Sequence, residues 1–433
     1  MIDTGDTAWV LISAALVFVM TPGLAFFYGG MVRSKNVLTT IMQSFFIIAM
    51  ISVEWVILGY AMTFGTDIGG FIGSLDKVGL AGVGLNVLEN GTIPELAFVA
   101  FQCMFAVITP ALITGAFAER MRFAAFAVLI LLWAIFIYNP MAHWVWGGGF
   151  LAELGALDFA GGLVIHILSG VSGLTICILL GTRRGYGQFA MIPHNLPMTV
   201  LGAALLRFGW FGFNAVSALG ANGLAANAFV TTQAAAAAAT VSWVLVEWYR
   251  NGKPTILGAA SGCIAGLVAI TPAAGFVKPM PALAIGFIGG IVCYLAVAVL
   301  KEKLGYDDSL DAFGVHGIGG TWGSIATGLW ATTEVNPAGA DGLFYGETHL
   351  LFAQVVSVIV AYALAIVGTY ILFKIVSHFM KVRADETEEI AGLDVVEHGE
   401  RGYASAMMAG SPIATLENSS EMLANTILST QKE

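Results

Sequence analysis

Long apolar stretches alternate with short polar or glycine-rich joins along most of the chain. Each stretch is about as long as a membrane is thick. Windows of roughly 20 apolar residues fall at 8–30, 38–64, 95–118, 124–146, 159–181, 197–220, 226–249, 256–276, 280–300, 313–332 and 350–376. The pattern predicts an all-α polytopic membrane protein of eleven transmembrane helices. An odd number of crossings puts the termini on opposite sides. Residues 1–380 form one membrane domain, and 381–433 read as a polar tail.

Composition agrees: 58% of the 433 residues are hydrophobic and 11% charged, against about 25% charged in a soluble chain. Orientation follows from Lys and Arg, whose excess marks cytoplasmic loops. Arg33, Lys35, Arg120, Arg122, Arg183, Arg184, Arg250, Lys253, Lys301, Lys303, Lys374, Lys381 and Arg383 fall on one side, with Arg401 and Lys432 in the tail. Only Lys77 and Lys278 fall on the other, and Arg207 lies inside a span. The N-terminus is therefore expected outside and the C-terminus in the cytoplasm. The first segment has neither a basic start nor an A-x-A site, so it reads as an uncleaved helix. Much of the net charge of −10 belongs to the tail and says nothing about substrate sign. Cys103, Cys177, Cys263 and Cys293 all lie in apolar spans without metal or disulfide spacing, and read as packing residues. Asn90-Gly-Thr92 is formally a glycosylation sequon but reads as a turn.

Spans 1–5 and 6–10 make two sets of five joined by the Arg183-Arg184-Gly-Tyr-Gly-Gln loop. Since five is odd, the second set runs inverted, and such repeats place the functional site at their interface near the midplane. A long eleventh helix follows. His166 lies in the fifth span of the first set and His316 in the fifth of the second. An imidazole in such apolar sequence is costly unless it faces a pore or a partner. A membrane haem would want paired imidazoles stacked along one helix, a spacing absent here. Most of the 53 glycines read as sites of close helix approach.

Aromatic residues gather near span ends. Phe101 and Phe105 share a helical face; Trp144 and Trp146 end the fourth span; Trp210, Phe213 and Ser217 recur at i, i+3, i+7. Ring faces attract a dehydrated cation by about 2 kcal/mol or more, and a hydroxyl can hydrogen-bond it, although interfacial Trp belts look similar. Asp158, eight residues before His166, suits a helix N-terminus, with capping favoured over substrate contact.

Several segments together are similar to the ammonium transporter family of Amt, methylammonium permease and Rhesus proteins, the microbial Amt branch above all. They are Thr21-Pro-Gly-Leu-Ala-Phe-Phe-Tyr-Gly-Gly-Met-Val-Arg-Ser-Lys-Asn36, Gly115-Ala-Phe-Ala-Glu-Arg120, Asp158 to His166, Phe211-Gly-Phe-Asn-Ala-Val-Ser217, Ser261 to Pro272, Asp311-Ala-Phe-Gly-Val-His-Gly317 and Gly392-Leu-Asp-Val-Val-Glu-His-Gly-Glu400. They run in family order from about residue 8 to 403. The resemblance implies a homotrimer in the plasma membrane with one pore per subunit. Residue by residue it implies an outer ammonium site at Phe105, Trp146 and Ser217, a gate of Phe105 and Phe213, and a pore lined by Trp210, His166 and His316. Asp158 supports the outer site. No catalytic constellation, metal or other cofactor, or nucleic-acid partner is expected; the chain reads as a transporter of ammonium or methylammonium in a lipid bilayer, not an enzyme.

Carrying a bare ion through hydrocarbon costs many kcal/mol, so so apolar a pore passes ammonia more easily than ammonium. Two imidazoles sharing a hydrogen bond can accept and donate a proton without a permanent charge. The Gly392–Gly399 segment is similar to the family's regulatory C-terminus, which implies a cytoplasmic PII nitrogen-regulatory protein as a partner. The rival function is an ammonium sensor signalling through that tail. Two charges depart from the family picture: Arg207, one turn before Trp210, and Glu54, deep in the second span. They are expected at a subunit contact, or in the case of Arg207 near the pore.

Overall fold

The computed structural model describes residues 1–88 and 91–403. Asn90 of the formal sequon and the Ser405–Glu433 end of the tail lie outside them. Among the described residues, nine helices are long and apolar enough to cross a membrane: α1 (Thr4–Met31), α2 (Ser34–Phe64), α3 (Glu95–Phe117), α4 (Phe123–Glu153), α5 (Gly162–Leu180), α6 (Leu196–Ala218), α7 (Gly223–Asn251), α9 (Pro279–Leu304) and α11 (His349–Phe379). Two shorter helical segments complete the bundle: α8 (Ile256–Ile270) and α10, whose π turn Phe313–Gly317 runs into Ile318–Trp330. The protein is a multi-pass membrane protein.

The short helices are informative. At 15 residues α8 rises about 22 Å, less than the roughly 30 Å of hydrocarbon in a bilayer. The apolar window 256–276 runs past its end because 273–277 is apolar but not helical; the chain turns at Thr271-Pro272, where proline cannot supply a helical N–H. Likewise α5 begins at Gly162, whose predecessor Gly161 adopts φ +114°, a left-handed conformation suited to glycine. Both α5 and α10 open with π turns, Gly162–Ile167 and Phe313–Gly317. Each π turn contains one of the buried histidines.

The bundle is held by close helix approach. α1 packs along α6, so the first helices of the two sets meet, and α5 crosses α10 at the centre. A Cβ on Gly170 of α5 would lie 2.2 Å from the backbone nitrogen of Gly317, and one on Gly320 would lie 2.9 Å from His166 Cβ. Only glycine allows the two helices to meet so near the histidines.

One end of the bundle is basic and cross-linked. Glu119 accepts from Arg33 and Arg183, and Arg183 also clasps Asp307 (Nη2–Oδ1 2.7 Å). Burial works to raise the carboxyls of Glu119 and Asp307, but the guanidiniums outweigh it and hold both below their ordinary values. Arg120, fully buried, donates to the carbonyls of Ala116, Ala118, Gly181 and Asp307 and to Ser309 Oγ.

The segment after α11 lies against this same end. Ala384 N–H donates to Arg120 O, and Arg122 reaches Glu388 at 2.6 Å. Two short helices follow, α12 (Glu386–Ala391) and α13 (Leu393–His398). Asp394 accepts from the N–H groups of Leu38 and Thr39 at the start of α2, Lys35 donates to the carbonyls of Glu389 and Ile390, and Tyr403 meets His194 at 2.7 Å. At the opposite end Asp3 N–H donates to Thr92 O, and a small hairpin, β1 (Asp67–Ile68) with β2 (Ile72–Gly73), is pinned by His143.

Candidate functional site

A column of rings runs down the junction between the two sets of helices. Phe101 and Phe105 of α3 meet edge to face, centroids 4.6 Å apart. Phe105 stacks on Phe213 of α6 at 4.3 Å and lies 6.0 Å from Trp146 of α4. Below Phe213 come Trp210 at 5.4 Å and His166 at 6.1 Å, and His166 stacks on both Trp210 (5.5 Å) and His316 (5.3 Å). Phe105, Trp146, Phe213, Trp210, His166 and His316 thus form one continuous series of ring contacts. Ser217 lies one helical turn beyond Phe213 in the 3-10 turn Val216–Ala218, half-buried, and its Oγ meets no partner among the described residues.

The two imidazoles face each other Nδ1 to Nδ1 at 3.2 Å. A hydrogen bond between two ring nitrogens needs a proton on one and a lone pair on the other. If both rings are neutral, the donor ring has a bare Nε2 and the acceptor ring an Nε2–H. The pair therefore presents one acceptor and one donor outward; the two roles exchange only when the shared proton crosses while the ring that receives it gives up its Nε2 proton and the other ring gains one at Nε2. His166 Nε2 is buried and meets no protein partner among the described residues.

Each histidine is placed by an aspartate eight residues earlier. Asp158 accepts four backbone N–H groups, from Gly161, Gly162, Leu163 and Val164, at 2.6–3.2 Å. Asp308 accepts from Ala312 at 3.1 Å and Phe313 at 2.8 Å. Both carboxylates satisfy the orphan donors at the start of a helix. Asp158 also reaches the ring column through its carbonyl, which accepts from Trp146 Nε1 at 2.8 Å.

Further polar residues orient the column. Trp210 Nε1 donates to Thr271 Oγ1 at 3.0 Å; Thr271 in turn meets Leu267 O and Asn214 Oδ1, and Asn214 donates to Thr232. Trp144, by contrast, turns away to donate to Phe71 O. Asp308, Thr271 and Asn214 have no role assigned from sequence. The repeated eight-residue spacing, Asp158 to His166 and Asp308 to His316, is the signal that finds the first of them.

The two unusual charges find partners inside the chain. Glu54 Oε1 accepts from Asn139 Nδ2 of α4 at 2.8 Å, and Arg207 Nη2 donates to Gln233 Oε1 of α7 at 3.0 Å. Arg207 is half-buried and takes no part in the ring column. Glu54 thus pairs within the bundle. For Arg207 the neighbour is the face of α7. Among the described residues, no group of three or more His, Cys, Asp or Glu side chains is arranged to hold a metal, and the four cysteines are free and buried.

Comparison with known proteins identifies the family. The family model described as Ammonium Transporter Family matches residues 8–403. A Bacillus subtilis (strain 168) protein named ammonium transporter is 56% identical over 404 residues, covering 93% of this chain and 99% of its own. The solved structure of Saccharomyces cerevisiae Mep2 superposes with a TM-score of 0.84 at 35% identity, covering 89% of each chain. A structure described as a sensor Amt protein superposes with a TM-score of 0.84 at 30% identity over 91% of this chain and 98% of that one. The chain belongs to the ammonium transporter family.

Proposed function

We propose that this protein carries ammonium across a membrane by gathering the cation, removing a proton and passing ammonia through an apolar pore. The observation that carries the reading is the position of the Nδ1–Nδ1 pair, 3.2 Å apart, directly below the stacked Phe105 and Phe213. In this reading the chain crosses the membrane eleven times, with α1–α5 and α6–α10 as inverted halves. Residues 1–380 are the transport domain. The basic end, with the tail 381–433, faces the cytoplasm, as the Lys and Arg bias requires, and the Trp146 end faces outward.

At the outer mouth Phe105 and Trp146 present ring faces, and the free Ser217 hydroxyl adds an oxygen acceptor. An ammonium ion there is held by cation–π attraction worth about 2 kcal/mol or more once desolvated. The stacked phenylalanines beneath offer no polar atom, so the ion cannot go further without losing its charge. Ammonia has a donor and a lone pair, and the histidine pair offers it an acceptor and a donor. Potassium and sodium ions have no proton to give up and stop at the gate. Selectivity in this reading comes from acid–base chemistry as well as size. Trp210, fixed by Thr271, closes the wall beside the imidazoles, and Asp158 holds the start of α5 and the Trp146 indole together.

The assembly proposed is a homotrimer with one pore per subunit, and the docked tail is a regulatory element on which a cytoplasmic PII protein acts. A second reading, an ammonium sensor, is favoured by the likeness to the sensor Amt structure. Radiolabelled methylammonium uptake into proteoliposomes separates the two. Transport predicts saturable uptake above empty vesicles, sharply reduced by Phe105→Ala with Trp146→Ala. No uptake, beside an ammonium-dependent change in tail protection, would favour sensing.

A further inference from the structure

Glu54 is a buried carboxyl of the apolar bundle that the transport reading leaves unused. It is 6% exposed, ten residues before the end of α2, so by helical rise it lies about 15 Å inside the bundle. Phe105 lies the same number of residues from its own end of α3, at the same end of the bundle. The carboxyl occupies a built niche. Oε1 accepts from Asn139 Nδ2 at 2.8 Å, Oε2 has no partner among the described residues, and Asn139 is itself fully buried. A Cβ on Gly59 would lie 2.7 Å from Oε2 and 3.0 Å from Oε1, so the niche exists because residue 59 has no side chain. Cys103 Sγ of α3 meets Ser52 Oγ at 3.8 Å, one face away.

The elements packed around it carry Glu95 and Cys103 of α3, Tyr138, His143 and Glu153 of α4, Tyr60 beyond the π turn of α2, and Asp76 and Lys77 of the 75–80 segment, with His143 paired to Asp67. Lys77 is already paired with Glu95 at 2.8 Å, and Glu95 also accepts from Tyr60 OH. Among the described residues, no cation pairs with the carboxyl. An ionised carboxylate buried with one amide donor and no counter-ion is costly by several kcal/mol, whereas a neutral acid fits the same niche.

We propose that Glu54 is a proton-binding site, a carboxylic acid kept protonated between α2 and α4, and that loss of this proton in alkali sets an upper pH limit on transport. The second clause rests on the transport reading; the first does not. Ionisation places an uncompensated negative charge in the wall that carries Phe105, and the niche must then admit water or open.

The test is infrared spectroscopy of the full-length protein in lipid, comparing wild type with Glu54→Gln, alongside methylammonium uptake across pH. At neutral pH the wild type is expected to show a protonated-carboxyl stretching band, sensitive to deuterium exchange and missing from E54Q. Alkaline titration removes the band, and wild-type uptake falls severalfold in the same pH step, while E54Q keeps its neutral-pH uptake into alkali. Identical band intensities in wild type and E54Q at neutral pH would overturn the proton site; an unchanged alkaline limb in E54Q would overturn its control of transport. If E54Q does not assemble, Asn139→Leu serves instead. It leaves the acid but removes its amide donor, so the band must shift, and an unshifted band counts against the site. Absence of uptake in every variant, wild type included, defeats the transport reading while the band still decides the proton site.

Discussion

The two halves of the bundle place an aspartate, a π turn and a histidine in the same order and at the same spacing, yet surround them differently. In the first half Asp158 accepts four N–H groups, with no cation paired to it among the described residues, and its own carbonyl holds Trp146. In the second half Asp308 accepts two, close to Asp307, Asp311 and Lys301, which itself pairs with Asp311. Burial, with the neighbouring Asp311 charge, pushes the Asp308 carboxyl up to about 6. The same local device therefore sits in two surroundings, beside an aromatic cluster in one half and among charged side chains in the other. In the proposed inverted arrangement of the halves, one repeated motif delivers two imidazoles that meet Nδ1 to Nδ1.

The largest expected effect comes from breaking that meeting. His166→Leu or His316→Leu leaves the other Nδ1 without its partner, and each should lower methylammonium uptake about 100-fold, the scale of a lost proton-transfer group. Equal losses, with the double variant little worse, would mark a pair acting as a unit. Normal transport by either single variant would break the equivalence of the halves.

The aspartates should differ where the histidines agree. Asp158→Ala strands four buried donors and Asp308→Ala two, each unsatisfied group costing about 1–3 kcal/mol. Thermal unfolding in detergent should therefore rank wild type above Asp308→Ala and Asp308→Ala above Asp158→Ala. The reverse order would show that capping does not set the difference.

Next in size is the crossing of α5 and α10. Gly170→Ala puts a Cβ against the Gly317 backbone, and overpacking of this kind costs about 1–3 kcal/mol. Uptake and melting temperature should both fall, whereas Gly84→Ala, in open space, should change neither.

The smallest effect concerns acid at the basic end. Glu119 and Asp307 are depressed below their ordinary 4.5 and 3.8, so their ion pairs contribute stability above those values and lose it as pH falls through the lower folded ones. Hydrogen exchange of residues 381–403 should stay slow at neutral pH and speed up only below about pH 4. Early loss near pH 6 would point to a different titrating group.

The spans were legible because an apolar window needs only local sequence, and the histidines stood out because an imidazole in such a window is costly. Where legibility ended, the reason is spatial. The window over 256–276 could not reveal that α8 stops at Ile270, since Ala273, Ala274, Phe276 and Val277 are as apolar as the helix before them. Asp308 hides among Asp307 and Asp311, which together resemble a polar loop, although its distance from His316 repeats that of Asp158 from His166. Thr271 and Asn214 act on Trp210 across helices, and Glu54 meets Asn139 eighty-five positions away; no periodicity announces such pairs. The docking of the tail joins side chains to groups far along the chain, as where the Asp394 carboxylate caps α2, and such long-range contacts leave little trace in composition.

The central claim is that the two halves share one proton between His166 and His316. Nitrogen-15 NMR of the lipid-reconstituted protein, with signals assigned by single histidine replacements, reads it directly. At neutral pH one Nδ1 should carry the proton and the other should be bare, with the pair coupled through the hydrogen bond. Two rings both protonated at Nε2 alone, or a stable imidazolium, would contradict it.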